Sequence, residues 1–143
     1  MLNQSSQHAV RAMAHLALAG HEWVRAKDLA EAADVPFHYL AKLLGQLVRV
    51  GVLEATRGKH GGYRLAKEAA EITLFEVIDT IEPLSGPRQC LLSRRDCDGD
   101  HPCAIHDEWS QTVSDVYAFL HSTSLADIVV ESQHMMGLPS AAS

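Results

Sequence analysis

All three cysteines of this chain stand in one run, CLLSRRDCDGDHPCAIH, residues 90–106, among three aspartates and two histidines. Six residues separate Cys90 from Cys97, five separate Cys97 from Cys103, and His106 follows after two more. Three thiolates with one nitrogen or oxygen donor can hold an iron–sulfur cluster, because soft sulfur ligands suit iron and sulfide. Zinc accepts the same donors, although its small domains use shorter C-x2–4-C knuckles, and the wide spacing here leaves room to wrap a larger cofactor. A third reading needs no metal: Cys103, just ahead of a helix start, can have a lowered thiol pKa and act as a switch. The residues alone leave all three open. Plainer roles stand beside them. His106 can cap a helix or face solvent, as can His8 and His15, while Asp96, Asp98 and Asp100 solubilise a loop in which Asp98-Gly99 marks a turn.

A second constellation is electrostatic. The net charge of -6 argues at first against nucleic acid, but its distribution reverses that. Residues 36–67 carry Lys42, Arg49, Arg57, Lys59, Arg64 and Lys67 against Glu54 alone, a net of +5, while residues 1–35 sum to -1 and residues 68–143 to -10. A compact field of one sign can hold phosphates on an otherwise anionic protein; the bland alternative is a solvated basic face.

The elements that must position these groups follow from periodicity. Residues 5–20 read as an amphipathic helix with Val10, Met13, Leu16 and Ala17 on one face, Ser5 or Ser6 as cap and Gly20 as stop. Residues 26–34 form a short second helix with a small-residue face of Leu29, Ala30 and Ala33. Pro36 suits the first turn of a third helix running to about Val50, whose apolar stripe is Phe37, Leu40, Leu44 and Leu47, widened by Leu43 and Val50. Its other face shows His38, Tyr39, Lys42, Gln46 and Arg49. Two helices across a tight turn, the second basic outside, have the helix-turn-helix layout. Strands over 52–55 and 62–65 flank the glycine-bearing turn Thr56–Gly61, which completes a winged helix.

Thr73-Leu74-Phe75-Glu76 reads as a capping box opening a helix that runs to about Ile81, and Pro83 closes it. Residues 83–103 lack periodicity and form a loop. From Ile105 a seam returns at Trp109, Val113, Val116 and Leu120, with little else to pack against. Pairing with a second copy is expected, folding back on its own domain being the alternative. Residues 124–131 add a short helix with Ser124 as cap, and the tail GLPSAAS is expected to fray.

In this layout His38, Tyr39 and Lys42 come near base edges and phosphates of a major groove, with Gln46 reaching adenine only on deeper insertion. Arg57, Lys59 and His60 at the wing tip suit a minor groove or flanking phosphates of double-stranded DNA. A winged helix used for protein contacts is the alternative. The odd thiol count favours a reducing compartment, hence the cytoplasm, and no apolar run reaches membrane-span length. MLNQSSQHAV lacks a secretory signal pattern.

The order of parts resembles the Rrf-type winged-helix transcription regulators, which include IscR-like cluster-biogenesis repressors and NsrR-like nitric-oxide sensors. The likeness runs from HAVRAMAHLAL through VPFHYLAKLLGQLVRVGVLEATRGKHGGYRLAK and ITLFEVIDTIE to the cysteine loop and LADIV. RGKHGGYRLA is its most specific stretch, and the three-cysteine loop comes next.

The resemblance implies a mainly α fold: a winged helix-turn-helix with a two-stranded wing and a long C-terminal dimerisation helix, acting as a homodimer. It divides the chain into a DNA-binding domain at 1–83, a cluster loop at 84–104, and the dimerisation helix with its tail at 105–143. It implies an iron–sulfur cluster, 2Fe-2S or 4Fe-4S, on Cys90, Cys97 and Cys103. The fourth ligand in the IscR-like branch is a histidine two residues beyond the third cysteine, where His106 stands. In some members it is an acid on the partner's first helix, a place that here holds His8. Two departures are visible: the chain begins Met-Leu-Asn-Gln without the basic residue common near position two, and the first loop spacing is six where the best-known branches have five. The expectation is a cytoplasmic, DNA-binding repressor that senses iron, nitric oxide or redox state, and not an enzyme. A metal-free or zinc-bound regulator is one rival and a thiol redox enzyme another.

Overall fold

The computed structural model describes residues 2–84, 90–92, 96 and 98–132. Helix α1, Gln4–Ala19, is capped one turn earlier than its serines suggest. Asn3 has extended backbone and its Oδ1 accepts the Ser6 amide at 2.8 Å. Ser6 is therefore buried inside the helix, where its hydroxyl donates to Glu82 Oε2 at 2.8 Å. The Asn3 amide donates to the same oxygen at 3.0 Å, tying the start of α1 to the end of a later helix.

Helix α2, Ala26–Ala33, ends on Asp34 in the left-handed region, φ 53°. Helix α3, Phe37–Arg49, begins after Pro36, which occupies the N-cap, one place before the expected first turn. Leu40, Leu43, Leu44 and Leu47 are buried as the stripe requires, but Phe37 and Val50 are 46% and 56% exposed. They sit at the two ends of the helix, beyond the reach of the core that α1 and α2 cover.

Strands β1, Leu53–Thr56, and β2, Gly62–Leu65, pair antiparallel, with Leu53 opposite Leu65 and Thr56 opposite Gly62. The first strand starts one residue later than the sequence suggests, because Val52 is still turning out of α3: its amide donates to the Leu47 carbonyl at 3.1 Å. A 3-10 turn at Ala69–Glu71 leads to α4, Leu74–Ile81. Thr73 caps α4 through its Oγ1, which accepts the Glu76 amide at 3.1 Å. The reciprocal half of that capping box is not made, since the Glu76 carboxylate holds Lys67 Nζ at 2.7 Å instead.

Helix α5, His106–Ser122, follows the loop, with Ile105 as its N-cap, and α6, Leu125–Ser132, closes the described chain. Ser124 caps α6, and Asp127 bonds back to it as a capping box does. The tail residues GLPSAAS lie outside the described residues.

One core unites Met13, Leu16, Leu29, Leu40, Leu44, Leu47, Val52, Ile72 and Val77. Leu125 of α6 is fully buried in the same core, and its amide donates to the Ile72 carbonyl at 2.9 Å. The end of the described chain thus returns to the core built by the N-terminal helices. A smaller cluster of Leu74, Ile78 and Leu120 seats the last turns of α5 on α4. Along α5, Leu120 is the buried member of the seam; Trp109, Val113 and Val116 are half-buried and Ile105 is exposed. No described helix is long and apolar enough to cross a membrane.

Candidate nucleic-acid interface and cysteine loop

Helix α3 presents His38, Tyr39, Lys42 and Arg49 as exposed and Gln46 as half-buried. His38 lies edge-on to Phe37, ring centroids 5.3 Å apart, so an exposed aromatic pair opens the helix. Tyr39 turns toward α1. Its hydroxyl is hydrogen-bonded to Ser5 Oγ and its ring meets His8 edge-on at 5.6 Å. Tyr39 therefore links the outer face of α3 to the start of α1, a connection that its helical position does not announce.

The wing tip carries Arg57, Lys59 and His60, all exposed. Two glycines seat its far strand. A Cβ on Gly61 would stand 2.5 Å from the Thr56 carbonyl oxygen, and one on Gly62, φ +146°, would stand 2.3 Å from that of Val24. Val24 and Tyr63 exchange backbone hydrogen bonds of 2.9 and 2.8 Å, so the segment between α1 and α2 is joined to the hairpin by a single β-bridge. On either side of Val24, the Arg64 guanidinium covers the Trp23 ring at 4.1 Å, and Arg25 Nη2 donates to the Lys59 carbonyl at 2.7 Å. These were invisible in the sequence, where Trp23 and Arg25 belong to a loop with no motif.

Of the six cations in the basic block, Arg64 is paired with Glu54 at 2.9 Å and Lys67 with Glu76 at 2.7 Å. Lys42, Arg49, Arg57 and Lys59 make no ion pair with the described residues. Four unneutralised cations thus remain on α3 and the wing tip, the two surfaces a winged helix lays on DNA.

The cysteine loop is bracketed by α1, α4 and α5. Glu82, at its entrance, holds the start of α1, and the Leu84 carbonyl accepts from the Tyr117 hydroxyl of α5. Cys90 and Cys103 are half-buried, while Leu91 and Leu92 between Cys90 and the rest of the loop are 58% and 64% exposed. The Cys103 carbonyl accepts the His106 amide at 3.1 Å, which places a thiol and a half-buried imidazole on the turn that starts α5. The Asp98 turn is present: its Oδ1 accepts the His101 amide at 2.7 Å, and that bond holds the carboxyl below its ordinary pKa. Cys97 lies outside the described residues, and among the described ones no three His, Cys, Asp or Glu side chains gather to hold a metal.

His8 stands apart from this loop as a buried side chain of α1, 7% exposed. Its Nδ1 lies 2.6 Å from Arg11 Nη2. A guanidinium can only donate, so His8 accepts at Nδ1 and is a neutral imidazole. Burial, and then the Arg11 charge, push its pKa below the ordinary value. To ligate a metal through Nε2 it would have to carry its proton on Nδ1, against Arg11.

The profile of the Rrf2 family, described as iron-dependent transcriptional regulators, matches residues 2–131. The HTH-type transcriptional regulator IscR of Photorhabdus laumondii is 33% identical over 129 residues, 90% of this chain and 78% of that protein. Protein rrf2 of Nitratidesulfovibrio vulgaris is 30% identical over 129 residues, covering 90% and 86%. Among solved structures, CymR, the global cysteine regulator of B. subtilis, superposes with a TM-score of 0.80 at 26% identity, covering 92% of this chain and 97% of that one. T. potens IscR shares the fold with a TM-score of 0.75 at 24% identity, covering 100% and 93%. These relatives are transcriptional regulators and not enzymes. The chain belongs to the Rrf2 family of winged-helix transcriptional regulators.

Proposed function

We propose that this regulator is a cytoplasmic homodimer that represses transcription and whose grip on double-stranded DNA depends on an iron–sulfur cluster. Residues 1–83 with α6 form the reading head, 84–104 the sensing loop, and α5 the dimer contact. His38, Lys42 and Gln46 read the major groove, Tyr39 orients that face from α1, and Arg57, Lys59 and His60 engage phosphates or the minor groove. The observation that carries the reading is the pairing pattern: two of six clustered cations are neutralised internally, and the four left open lie on α3 and the wing tip.

The donor set fits a cluster. Cys103 and His106 share the turn at the head of α5 and Cys90 is half-buried, and three thiolates with one imidazole, Cys97 included, are the donor types a cluster takes. The cluster would supply a redox-active centre that also reacts with nitric oxide. His106 is the preferred fourth ligand, because it shares a turn with Cys103 while His8 lies on α1, bonded to Arg11. The residues of this chain transmit the state of the loop. Glu82 at its entrance holds α1, α1 holds Tyr39, and α5 leaves its exit. A loop with two arrangements would thereby change how two recognition helices are set against half-sites of fixed spacing. A coupling of about 1–3 kcal/mol changes occupancy roughly five- to 150-fold, enough for a switch.

A second reading has its own observation. The likeness to a global cysteine regulator is as full-length as that to IscR, and an oxidised form of Staphylococcus aureus CymR is among the similar structures at 25% identity. A metal-free thiol switch on the same loop would use the same transmission. Anaerobic purification, reconstitution with ferrous iron and a sulfur donor, and iron and sulfide analysis separate the two. A coloured protein whose affinity for a duplex selected from a random-sequence pool changes on cluster loss is expected. A colourless protein whose affinity follows thiol oxidation assigns the switch to the cysteines alone.

A further inference from the structure

The wing is a hairpin of two four-residue strands, and an isolated pair of that size is marginal in water. Its base is fixed by buried Leu53 and Leu65, but its tip, with Arg57, Lys59 and His60, is fully exposed. What defines where the tip stands is the segment between α1 and α2. The Val24–Tyr63 bonds and the tight approach of Gly62 to Val24 seat the far strand. Beyond them one bond reaches past the strand into the turn, from Arg25 Nη2 to the Lys59 carbonyl at 2.7 Å. Arg25 sits at the N-cap of α2, where a guanidinium, which only donates, has no cap bond to make, and its side-chain bond goes to the wing.

We infer that Arg25 is a positioning residue for DNA binding, a brace that holds the wing's backbone at Lys59 and so fixes where the tip cations meet the nucleic acid. The inference rests on the reading of the wing as a DNA contact. The alternative role for an exposed arginine beside a wing is a phosphate contact of its own. Two observations favour the brace. The guanidinium already donates to a backbone carbonyl of the wing, which directs one face of its donor fork at the hairpin and not at an anion. In addition, Glu22 and Asp28 line the same cleft as Arg25, Lys59 and His60, which weakens its pull on an anion. A cation held in place loses less conformational freedom on binding than one on a waving tip, so the brace acts on affinity through its neighbours.

A double-mutant cycle on the full-length protein tests this, with the duplex selected by the wild type from a random pool and binding measured across a salt series. Arg25→Ala should weaken binding about fivefold, the scale of one net hydrogen bond. In the background Lys59→Ala with His60→Ala the same change should cost less than about twofold, because the two tip groups next to the braced carbonyl are gone. Thermal unfolding should show all variants folded, since Arg25 is exposed and Ala is tolerated at its place. An Arg25→Ala variant that binds like the wild type overturns the brace. So does an equal penalty in both backgrounds with the salt slope reduced by a further unit or so, which would make Arg25 a phosphate contact. If the tip variant Lys59→Ala/His60→Ala itself leaves affinity and salt slope unchanged, the wing reading fails first, and that result is distinct from either.

Discussion

The wing and the cysteine loop are both glycine-bearing, polar excursions from the helical core, and they are built in opposite ways. Every residue of the wing's far strand is accounted for by something outside the hairpin: Gly62 by the Val24 carbonyl, Tyr63 by two backbone bonds to Val24, Arg64 by the Trp23 ring, Leu65 by the core. The described part of the loop has local bonds, such as that of Asp98 to His101, and no fully buried side chain. The difference teaches where each region gets its order. A surface that meets the same phosphates at every encounter can be finished in advance. Under the proposed function a segment with two states would take its order from what it binds, and the loop accordingly carries donor side chains where the wing carries packing.

That contrast breaks most visibly at Cys97. Replacing it with Ala should abolish iron and sulfide uptake altogether while leaving the urea unfolding of the cofactor-free protein within about 0.5 kcal/mol of wild type, as for a surface change. Iron content equal to wild type would remove Cys97 from the ligand set. A large loss of stability in the cofactor-free protein would mean the loop is packed after all.

Gly62→Ala asks the converse of the wing. The new methyl would need a positive φ of +146° and would stand 2.3 Å from the Val24 carbonyl oxygen, so the hairpin must leave its seat. A loss of about 2–4 kcal/mol in urea unfolding is expected, with DNA binding weakened in proportion to the displaced tip and cofactor uptake spared. A silent Gly62→Ala would show that the seat does not define the wing.

How much of this was legible in the sequence divides along the same line. Elements held by their own periodicity were readable: Leu40, Leu44 and Leu47 mark α3, Thr73 marks α4, and Ser124 marks α6. Features fixed by a partner far along the chain were not. Asn3 won the cap of α1 because Ser6 was needed by Glu82, 76 residues away. Phe37 and Val50 fit the stripe of α3 but lie past the edge of the core it packs on. Tyr39 reads as a base contact until Ser5 and His8 are seen beside it. In the loop the donors announce themselves by type and spacing, yet their arrangement has no local code, since CLLSRRDCDGDHPCAIH carries no apolar periodicity of a helix or a strand.

A smaller effect separates the two candidate fourth ligands, one on α1 and one at the head of α5. His106→Ala should speed cluster decay in air more than His8→Ala does, because His106 shares a turn with Cys103 while His8 is buried against Arg11. His8→Ala should instead loosen Tyr39 and lower DNA affinity modestly in both cluster states. The reverse order in the decay assay would assign the fourth position to α1 and require His8 to release Arg11.

The smallest expected effect is on the proton dependence of folding, and it belongs to α1. His8 and His15 of α1 both have pKa values pushed below the ordinary one, by burial first and then by the Arg11 charge between them. Above pH about 6.5 both are neutral in the folded and unfolded chains and contribute nothing. As pH falls through that value the unfolded chain takes up protons that the folded chain refuses, so stability declines until the lowered folded pKa is passed. Asp98 and Asp127 are held below their ordinary values by bonds from His101 and Ser124, but their influence begins only as pH approaches about 4. Urea midpoints of the cofactor-free protein should therefore fall between pH about 7 and 5. His15→Gln, which removes one of the two groups without touching Tyr39 or the loop, should shrink that fall. A midpoint that rises on acidification, or a fall unchanged by His15→Gln, would place the titrating groups elsewhere in the chain and remove α1 from the account.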